Sequence, residues 1–522
     1  MSLTDERSRF KPCIPDACKN LEKIVAKKGE PFAAKDEVKK LLSHIDNLNK
    51  ISFVSGDKTN HEALRVGVCF SGGQASGGHN VISGLFDALK KLNPKSVLLG
   101  FMDGPIGVIE EDYIELTEDK IAPYRNQGGF DMIGSGRDKI ETPEQFDKTA
   151  QTAKSLSLDG LVIIGGDDSN TNAALVAQYF IENKIGTKVI GVPKTIDGDL
   201  KNDEIEISFG FDTATKTYSD IIGSLARDAV SAKKYFFFVK LMGRSASHIA
   251  LECALQTHPN LCLISEEVKA KKWGLQELTK EVARVISARQ NVGKNYGVIL
   301  IPEGIIEFLP DMHVLIKELN PLAGKNVEEV KGLLQSDALA TFQALPETIQ
   351  KQLLLDRDPH GNVQVSKIET ERLLLESVKS CKLPKKIHAQ PHFLGYEGRS
   401  CLPSTFDCNY CYALGMTAAL LLDAGLSGYM ACLKGLTKEA SSWEPGGVPL
   451  AGMIHLEERK GKRVPVIRKA LVELEGKPFK EFSAKRQSWV EDDAFCYPGP
   501  IQFFGPEEIV SRVTKTLTLE RS

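Results

Sequence analysis

The stretch Leu161-Val-Ile-Ile-Gly-Gly-Asp-Asp-Ser169, with Lys188-Val-Ile-Gly-Val192 and Pro193-Lys-Thr-Ile-Asp-Gly-Asp199 after it, decides the fold. Four consecutive apolar residues closed by a Gly-Gly pair read as a strand buried on both faces. A helical pattern follows from Asn170 to about Asn183, and Lys188–Val192 is the next buried strand. Strand, glycine turn, helix, strand is the order of a parallel sheet. The same order stands upstream: Arg65-Val-Gly-Val-Cys-Phe70, the break Ser71-Gly-Gly-Gln-Ala-Ser-Gly-Gly78, a helix over Asn80–Lys91 and a strand over Ser96–Phe101. Thr142-Pro-Glu-Gln145 has the form of a capping box with proline at the first helical position, and predicts a helix ending near Leu158.

A second α/β block follows, with a strand over Tyr235–Leu241, a helix from about Ser245 to Gln256 and a strand over Gly297–Ile301. From about 305 to 385 the pattern is Leu/Glu/Lys-rich and helical, interrupted by the turn Asp358-Pro-His-Gly361. Residues 1–62 are polar and Lys-rich with one amphipathic stretch, Glu37–Leu48, and read as a helical extension. The expected organisation is that extension, an α/β domain over 63–233, a second over 234–415 containing the helical insertion, and a segment 416–522 that packs back on the α/β core.

At 522 residues, 42% hydrophobic and 26% charged, the chain has the balance of a globular protein with sizeable cores. A formal charge of -3 argues against a nucleic-acid or membrane-surface partner. No segment approaches the roughly 18 apolar residues of a membrane span, and the charged start has no signal-like apolar core. Eleven scattered cysteines read as reduced thiols, and the expected location is the cytoplasm. Cys408-Asn-Tyr-Cys411 lacks a second ligand pair for zinc, so buried small side chains at the start of a helix explain it better.

Loops that follow the strands of a parallel sheet emerge on one edge, where ligands bind. Gly72-Gly73, Gly165–Ser169 and Pro193–Asp199 each follow a strand, so one crevice should hold glycine backbone, Lys194 and the carboxylates Asp167, Asp168, Asp197 and Asp199. Glycine turns ahead of helix N-termini suit phosphate. Carboxylates beside phosphate suit Mg²⁺, and a further carboxylate can accept a proton from an attacking hydroxyl. The chemistry implied is Mg²⁺-assisted phosphoryl transfer. Each part has a plainer reading: Gly-Gly as a tight turn, Asp-Gly-Asp as a solvated turn, Lys194 as an ion pair with Asp168. Adjacent Asp167 and Asp168 repel each other, however, and require a metal or lysine partner. Neither a P-loop nor a Gly-x-Gly-x-x-Gly fingerprint is present. In the second block Met242-Gly-Arg244, Pro302-Glu-Gly304 and Gly395-Tyr-Glu-Gly-Arg399 again follow strands. Arginine forks suit a sugar phosphate and Glu303 suits sugar hydroxyls, although each could be an exposed ion-pairing residue.

In order, Gly165-Gly-Asp-Asp-Ser169, Pro193–Asp199, Met242-Gly-Arg244, Pro302-Glu-Gly304 and Tyr396-Glu-Gly-Arg399 resemble the signatures of the phosphofructokinases, and more narrowly of the long pyrophosphate-dependent class. The match runs from about Arg65 to Gly415. The resemblance implies two Rossmann-like α/β domains and the reversible transfer of phosphate from pyrophosphate to the 1-hydroxyl of fructose 6-phosphate in glycolysis and gluconeogenesis. It implies that Gly72 and Lys194 lie against pyrophosphate, that Asp167 holds Mg²⁺, and that Asp197 is the base, with Asp199 an additional carboxylate. Thr195, Ile196, Met242, Gly243, Arg244, Glu303, Tyr396, Glu397, Gly398 and Arg399 would contact the sugar phosphate. Lys234 and Tyr235 resemble the pair lent to a neighbouring subunit's site, which implies a homodimer or homotetramer with shared active sites. ATP-using relatives have glycine where this chain has Asp168 and Lys194, so the donor expected is pyrophosphate. The rivals are an ATP-dependent enzyme and a non-catalytic regulatory subunit. The latter is expected to lack Asp167 or Asp197.

Overall fold

The run Leu161–Ile164 lies in strand Gly160–Gly165, buried at every position, as a central parallel strand covered on both faces must be. A computed structural model describes residues 7–58, 60–355, 363, 368–459, 462–500 and 511–522. The chain divides into two units. The first comprises Met1–Ala214, Arg399–Ala470 and Ile501–Val513, and the second Thr215–Gly398, Leu471–Pro500 and Thr514–Ser522.

The sheet of the first unit runs in the order Ile24–Pro31, Asn49–Ser55, Glu444–Pro449, Tyr429–Lys434, Lys188–Thr195, Gly160–Gly165, Arg65–Ser71, Val97–Phe101, Tyr113–Glu115, and Phe209–Gly210 pairs with Lys188–Thr195. The five from Tyr429–Lys434 to Val97–Phe101 are parallel, and the outer strands are antiparallel. Leaving Arg65–Ser71, the chain moves outward to Val97–Phe101, then returns to the other side as Gly160–Gly165. The order reverses between those two strands, and such a reversal opens a crevice at the strand ends. Register then aligns the loops: Ser71 pairs with Gly165 and Gly165 with Pro193, so Gly72, Gly166 and Lys194 begin side by side.

The segment before residue 62 differs from the helical extension expected. Among the described residues its helical pieces are short, such as Asp16–Cys18, Leu21–Lys23 and Asp36–Lys39, and the segment supplies the antiparallel pair Ile24–Pro31 and Asn49–Ser55. Ile51 and Phe53 are buried while Ser52 and Val54 face outward, a period of two that favours a strand. The amphipathic stretch Glu37–Leu48 fails as a helix because Ser43, Asp46 and Asn47 fill its second half and favour turns. The C-terminal segment contributes two strands, Tyr429–Lys434 and Glu444–Pro449, to the same sheet. Cys408 and Cys411 are buried on helix Thr405–Asp423, and burial pushes the Cys408 thiol up to about 12.

The second unit has a parallel sheet in the order Leu261–Cys262, Gly297–Pro302, Phe236–Leu241, Ala389–Leu394. Its inserted region supplies the helices Pro310–Leu319, Val327–Lys331, Ser336–Ala344, Glu347–Leu355 and Thr370–Lys379, and Leu315, Phe342, Leu353 and Leu374 join Phe236 and Ile299 in one buried cluster. The turn Asp358–Gly361 lies outside the described residues. Leu241 pairs with both Pro302 and Leu394, which again sets three loops in a row. Among the described residues no helix is long and apolar enough to cross a membrane.

Candidate active site

Lys194 belongs to strand Lys188–Thr195 rather than to the loop after it, because Lys194 and Thr195 pair with Phe209 and Gly210. That pairing draws the lysine inward to 5% exposure. Burial pushes its ammonium down to about 8, with Arg137 and Arg399 adding to the fall, while Asp197 and Asp167 oppose it. Gly72 sits against this ammonium: a Cβ there would lie 3.3 Å from Lys194 Nζ, and φ is +87°. The Gly72 N–H donates to the Gly136 carbonyl (2.8 Å) and its carbonyl accepts from Ser135 Oγ (2.7 Å). The glycine therefore offers room beside a cation, not its own N–H. A Cβ on Gly73 would stand 3.7 Å from Arg399 Nη1, which sets Arg399 in the same group.

Asp167 and Asp168 fall in the first turn of helix Asp167–Glu182, where the helix dipole favours negative charge. Their loop is fastened to its neighbours: Ser169 Oγ donates to Ser71 Oγ (2.8 Å), and Asn170 Nδ2 donates to the carbonyls of Gly165 (2.6 Å) and Gly166 (2.9 Å). The partners that two adjacent aspartates require are lysines far away in sequence. Asp168 pairs with Lys139 (3.4 Å), not with Lys194, and is half exposed. Lys469 lies 3.9 Å from Asp167 Oδ2 and 3.4 Å from Asp199 Oδ2. Burial raises both Asp167 and Asp199 above the usual carboxylate range; Asp197 adds to the rise at Asp199, and Lys469 opposes both. Partly buried Asp197 is held by its N–H donating to Thr195 Oγ1 (3.1 Å), in a turn through Gly198.

The loops of the second unit form a separate cluster. The Gly243 N–H donates to Glu303 Oε2 (3.1 Å), and Glu303 is buried and raised by that burial, against the pull of Lys240 and Arg244. Gly304 is obligatory, since a Cβ there would meet the Arg244 carbonyl oxygen at 1.8 Å. The Arg244 side chain is exposed. Glu397 Oε2 accepts from the Gly395 N–H (2.8 Å), so this carboxylate shapes its own loop, while Tyr396 stays 64% exposed and Gly398 packs against the Tyr218 ring. Lys234 is exposed and its ammonium lies 5.2 Å from the centre of the half-exposed Tyr235 ring.

Sequence reasoning missed Arg137, Lys139 and Lys469. The strand-like pairing of Ser71 with Gly136 brings the first two to the crevice, a contact that no local sequence pattern records, and Lys469 has no local signal either. Among the described residues no group of three or more His, Cys, Asp or Glu side chains is placed to hold a metal ion.

Each unit sets glycine loops at the ends of its parallel strands, and one of the two sets is crowded with carboxylates and lysines, an arrangement suited to a phosphate ligand. The chain belongs to the phosphofructokinase family, whose pattern matches residues 65–422. It is 48% identical to the pyrophosphate–fructose 6-phosphate 1-phosphotransferase of Treponema pallidum, over 99% of this chain and 97% of that one. It is likewise 48% identical to the protein of the same name from Entamoeba histolytica, over 100% and 99% of the two chains. The beta subunit of the Solanum tuberosum enzyme of that name is 52% identical over 93% of this chain and 88% of its own length. Among solved structures, a pyrophosphate-dependent phosphofructokinase from Nitrosospira multiformis matches at a TM-score of 0.57 and 17% identity, covering 87% of this chain and 98% of that one, a likeness of fold.

Proposed function

We propose that this chain transfers a phosphoryl group from inorganic pyrophosphate to the 1-hydroxyl of fructose 6-phosphate, reversibly, giving fructose 1,6-bisphosphate and phosphate. The observation that carries this reading is the 48% identity, over nearly the whole of both chains, to phosphotransferases named for that reaction. The local chemistry agrees: a buried lysine beside a glycine, flanked by Arg399 and by carboxylates, suits a compact, highly charged donor.

In this reading the Lys194 ammonium and the Arg399 guanidinium offset charge on the pyrophosphate oxygens, and Gly72 leaves the space in which those oxygens approach. Asp197 accepts the proton of the attacking 1-hydroxyl. It is suited to this because it is only partly buried and is held by Thr195. Asp167, with Asp199 beside it, would hold Mg²⁺. Two hard oxygen donors, already bridged by a cation, fit an ion that takes one or two carboxylates and completes its shell with phosphate and water. Bound there, Mg²⁺ would neutralise charge developing on the phosphate oxygens. Asp168, half exposed at the start of its helix, sets a carboxylate where it would obstruct and repel the α-phosphate of a nucleotide. Met242, Gly243, Arg244, Glu303 and Tyr396 bind the sugar phosphate, while Glu397 and Gly398 set the shape of its loop. Lys234 and Tyr235, presented at the surface, serve a neighbouring subunit in a homo-oligomer. The setting is cytoplasmic glycolysis and gluconeogenesis.

The test is steady-state kinetics of the purified chain with pyrophosphate and with ATP, alongside Asp197→Ala. Pyrophosphate should support turnover and ATP should not, and Asp197→Ala should lower kcat by ~10²–10⁴ with little change in KM. Equal use of ATP, or near-normal kcat in Asp197→Ala, would overturn the donor or the base respectively.

A further inference from the structure

The chain on both sides of Lys469 is fastened to the two elements that carry the buried carboxylates. The Ile467 N–H donates to Thr171 Oγ1 (3.1 Å) on helix Asp167–Glu182. The Ala470 N–H donates to the carbonyl of Asp199 (2.7 Å). Between these anchors the Lys469 ammonium stands 3.4 Å from Asp199 Oδ2 and 3.9 Å from Asp167 Oδ2. The ammonium is therefore shared between two carboxylates, and it lies nearer to Asp199. The lysine is 31% exposed, Asp167 19% and Asp199 only 3%, so the cation reaches the carboxylate pair from its solvent side.

We propose that Lys469 is a positioning residue for the metal–diphosphate complex, a built-in cation between Asp167 and Asp199 that yields its place only when the diphosphate arrives to receive it. The inference rests on the reading of Asp167 as the carboxylate that holds the divalent cation. Two carboxylates taken out of water repel each other and need a compensating charge. Lys469 supplies it in the free protein, and by the same charge it repels a divalent ion that comes alone. A metal–diphosphate complex changes the balance, because its oxygens give the ammonium a new partner while the metal takes the carboxylates. Metal and diphosphate are thereby made to bind together, a coupling between two ligands through one side chain.

Deleting the charge should therefore act with opposite signs on the two ligands. In Lys469→Met, Mn²⁺ titrated into the free protein and followed by electron paramagnetic resonance should bind at least about fivefold more tightly than in the wild type, while KM for pyrophosphate rises about tenfold. A lesion that merely loosened the loop would weaken both. Lys469→Arg should restore both values towards wild type, and Lys469→Gln is read in the same way should Lys469→Met not fold. Unchanged or weaker Mn²⁺ binding in the charge-deleted protein overturns the inference. Asp167→Asn separates it from the reading beneath: if that variant binds Mn²⁺ as the wild type does, the metal assignment falls and the inference with it. If it loses Mn²⁺ while Lys469→Met is unaltered, the inference alone falls.

Discussion

Replacing Lys194 by methionine keeps the length of the side chain and deletes its charge, and the structure sets the size of two opposed consequences. Burial lowers the ammonium from 10.5 to about 8. At about 1.4 kcal/mol per tenfold, keeping it protonated inside the fold costs about 3 kcal/mol at neutral pH. The unfolded chain holds this proton up to about pH 10.5 and the folded one only to about 8. Between those values the unfolded state binds more protons, and stability rises with pH; below pH 8 both states are protonated and the penalty is constant. The unfolding free energy of the wild type relative to Lys194→Met should thus increase by about 2 kcal/mol from pH 8 to pH 9.5 in urea melts.

Activity should move the other way, because the ammonium that burdens the fold is the one that offsets charge on the donor. The kcat/KM for pyrophosphate reports the free protein and should fall on a limb centred near pH 8, up to tenfold per pH unit beyond it. Lys194→Met should lack that limb and lie ~10²–10³ below the wild type. Ionisation of pyrophosphate itself is common to both proteins, so the difference between their profiles isolates the lysine. A limb that persists unchanged in Lys194→Met would refute the reasoning, and so would a relative stability that does not change with pH.

Asp168→Gly removes the carboxylate and its pairing with Lys139, and should raise kcat/KM for ATP while lowering it for pyrophosphate, read with both donors under saturating fructose 6-phosphate. No gain of ATP use would remove Asp168 from donor choice. Arg244→Ala should raise KM for fructose 6-phosphate roughly tenfold or more, with pyrophosphate little affected, because an exposed guanidinium is lost from the sugar-phosphate loops. A rise confined to pyrophosphate would reassign the residue.

The parallel core was legible because its information is local. Leu161–Ile164 and Val189–Val192 are apolar runs closed by glycine or proline, and the helix after each glycine loop follows within a few residues. The first helix boundary was misplaced by one turn: it begins at Asp167, not Asn170, because aspartates at a helix start are stabilised where a loop reading leaves them outside. The strand that carries Lys194 ran longer than its apolar pattern, since its last pairs are made with Phe209 and Gly210 and hydrophobicity does not record them. The N-terminal strands were illegible for a similar reason. Ile51 and Phe53 alternate over too few residues to outweigh the helical look of Glu37–Leu48, and their pairing partner Glu444–Pro449 is nearly four hundred residues away.

The same division between local and distant information separates the negative half of the site from the positive half. Asp167, Asp168, Asp197 and Asp199 stand in two short motifs, and a reader of sequence finds them at once. The charges that make them tolerable come from elsewhere: Lys139 from the loop before the capping box, and Lys469 from beyond the C-terminal hairpin. Lys194 does lie within a motif, yet its partners differ from the neighbour expected, since it senses Asp197 and Asp167 while Asp168 turns to Lys139. A site for a small, highly charged donor must balance charge without closing, because each tight internal ion pair would have to be broken before the ligand could bind. An ammonium shared between Asp167 and Asp199 meets that requirement where a short bidentate pair with one of them would not. Cations brought from separate segments, each held by its own backbone, can be arranged at such distances independently of the carboxylates they serve. Motifs therefore reveal which groups the chemistry uses, and the distant lysines reveal how the fold keeps those groups charged and open.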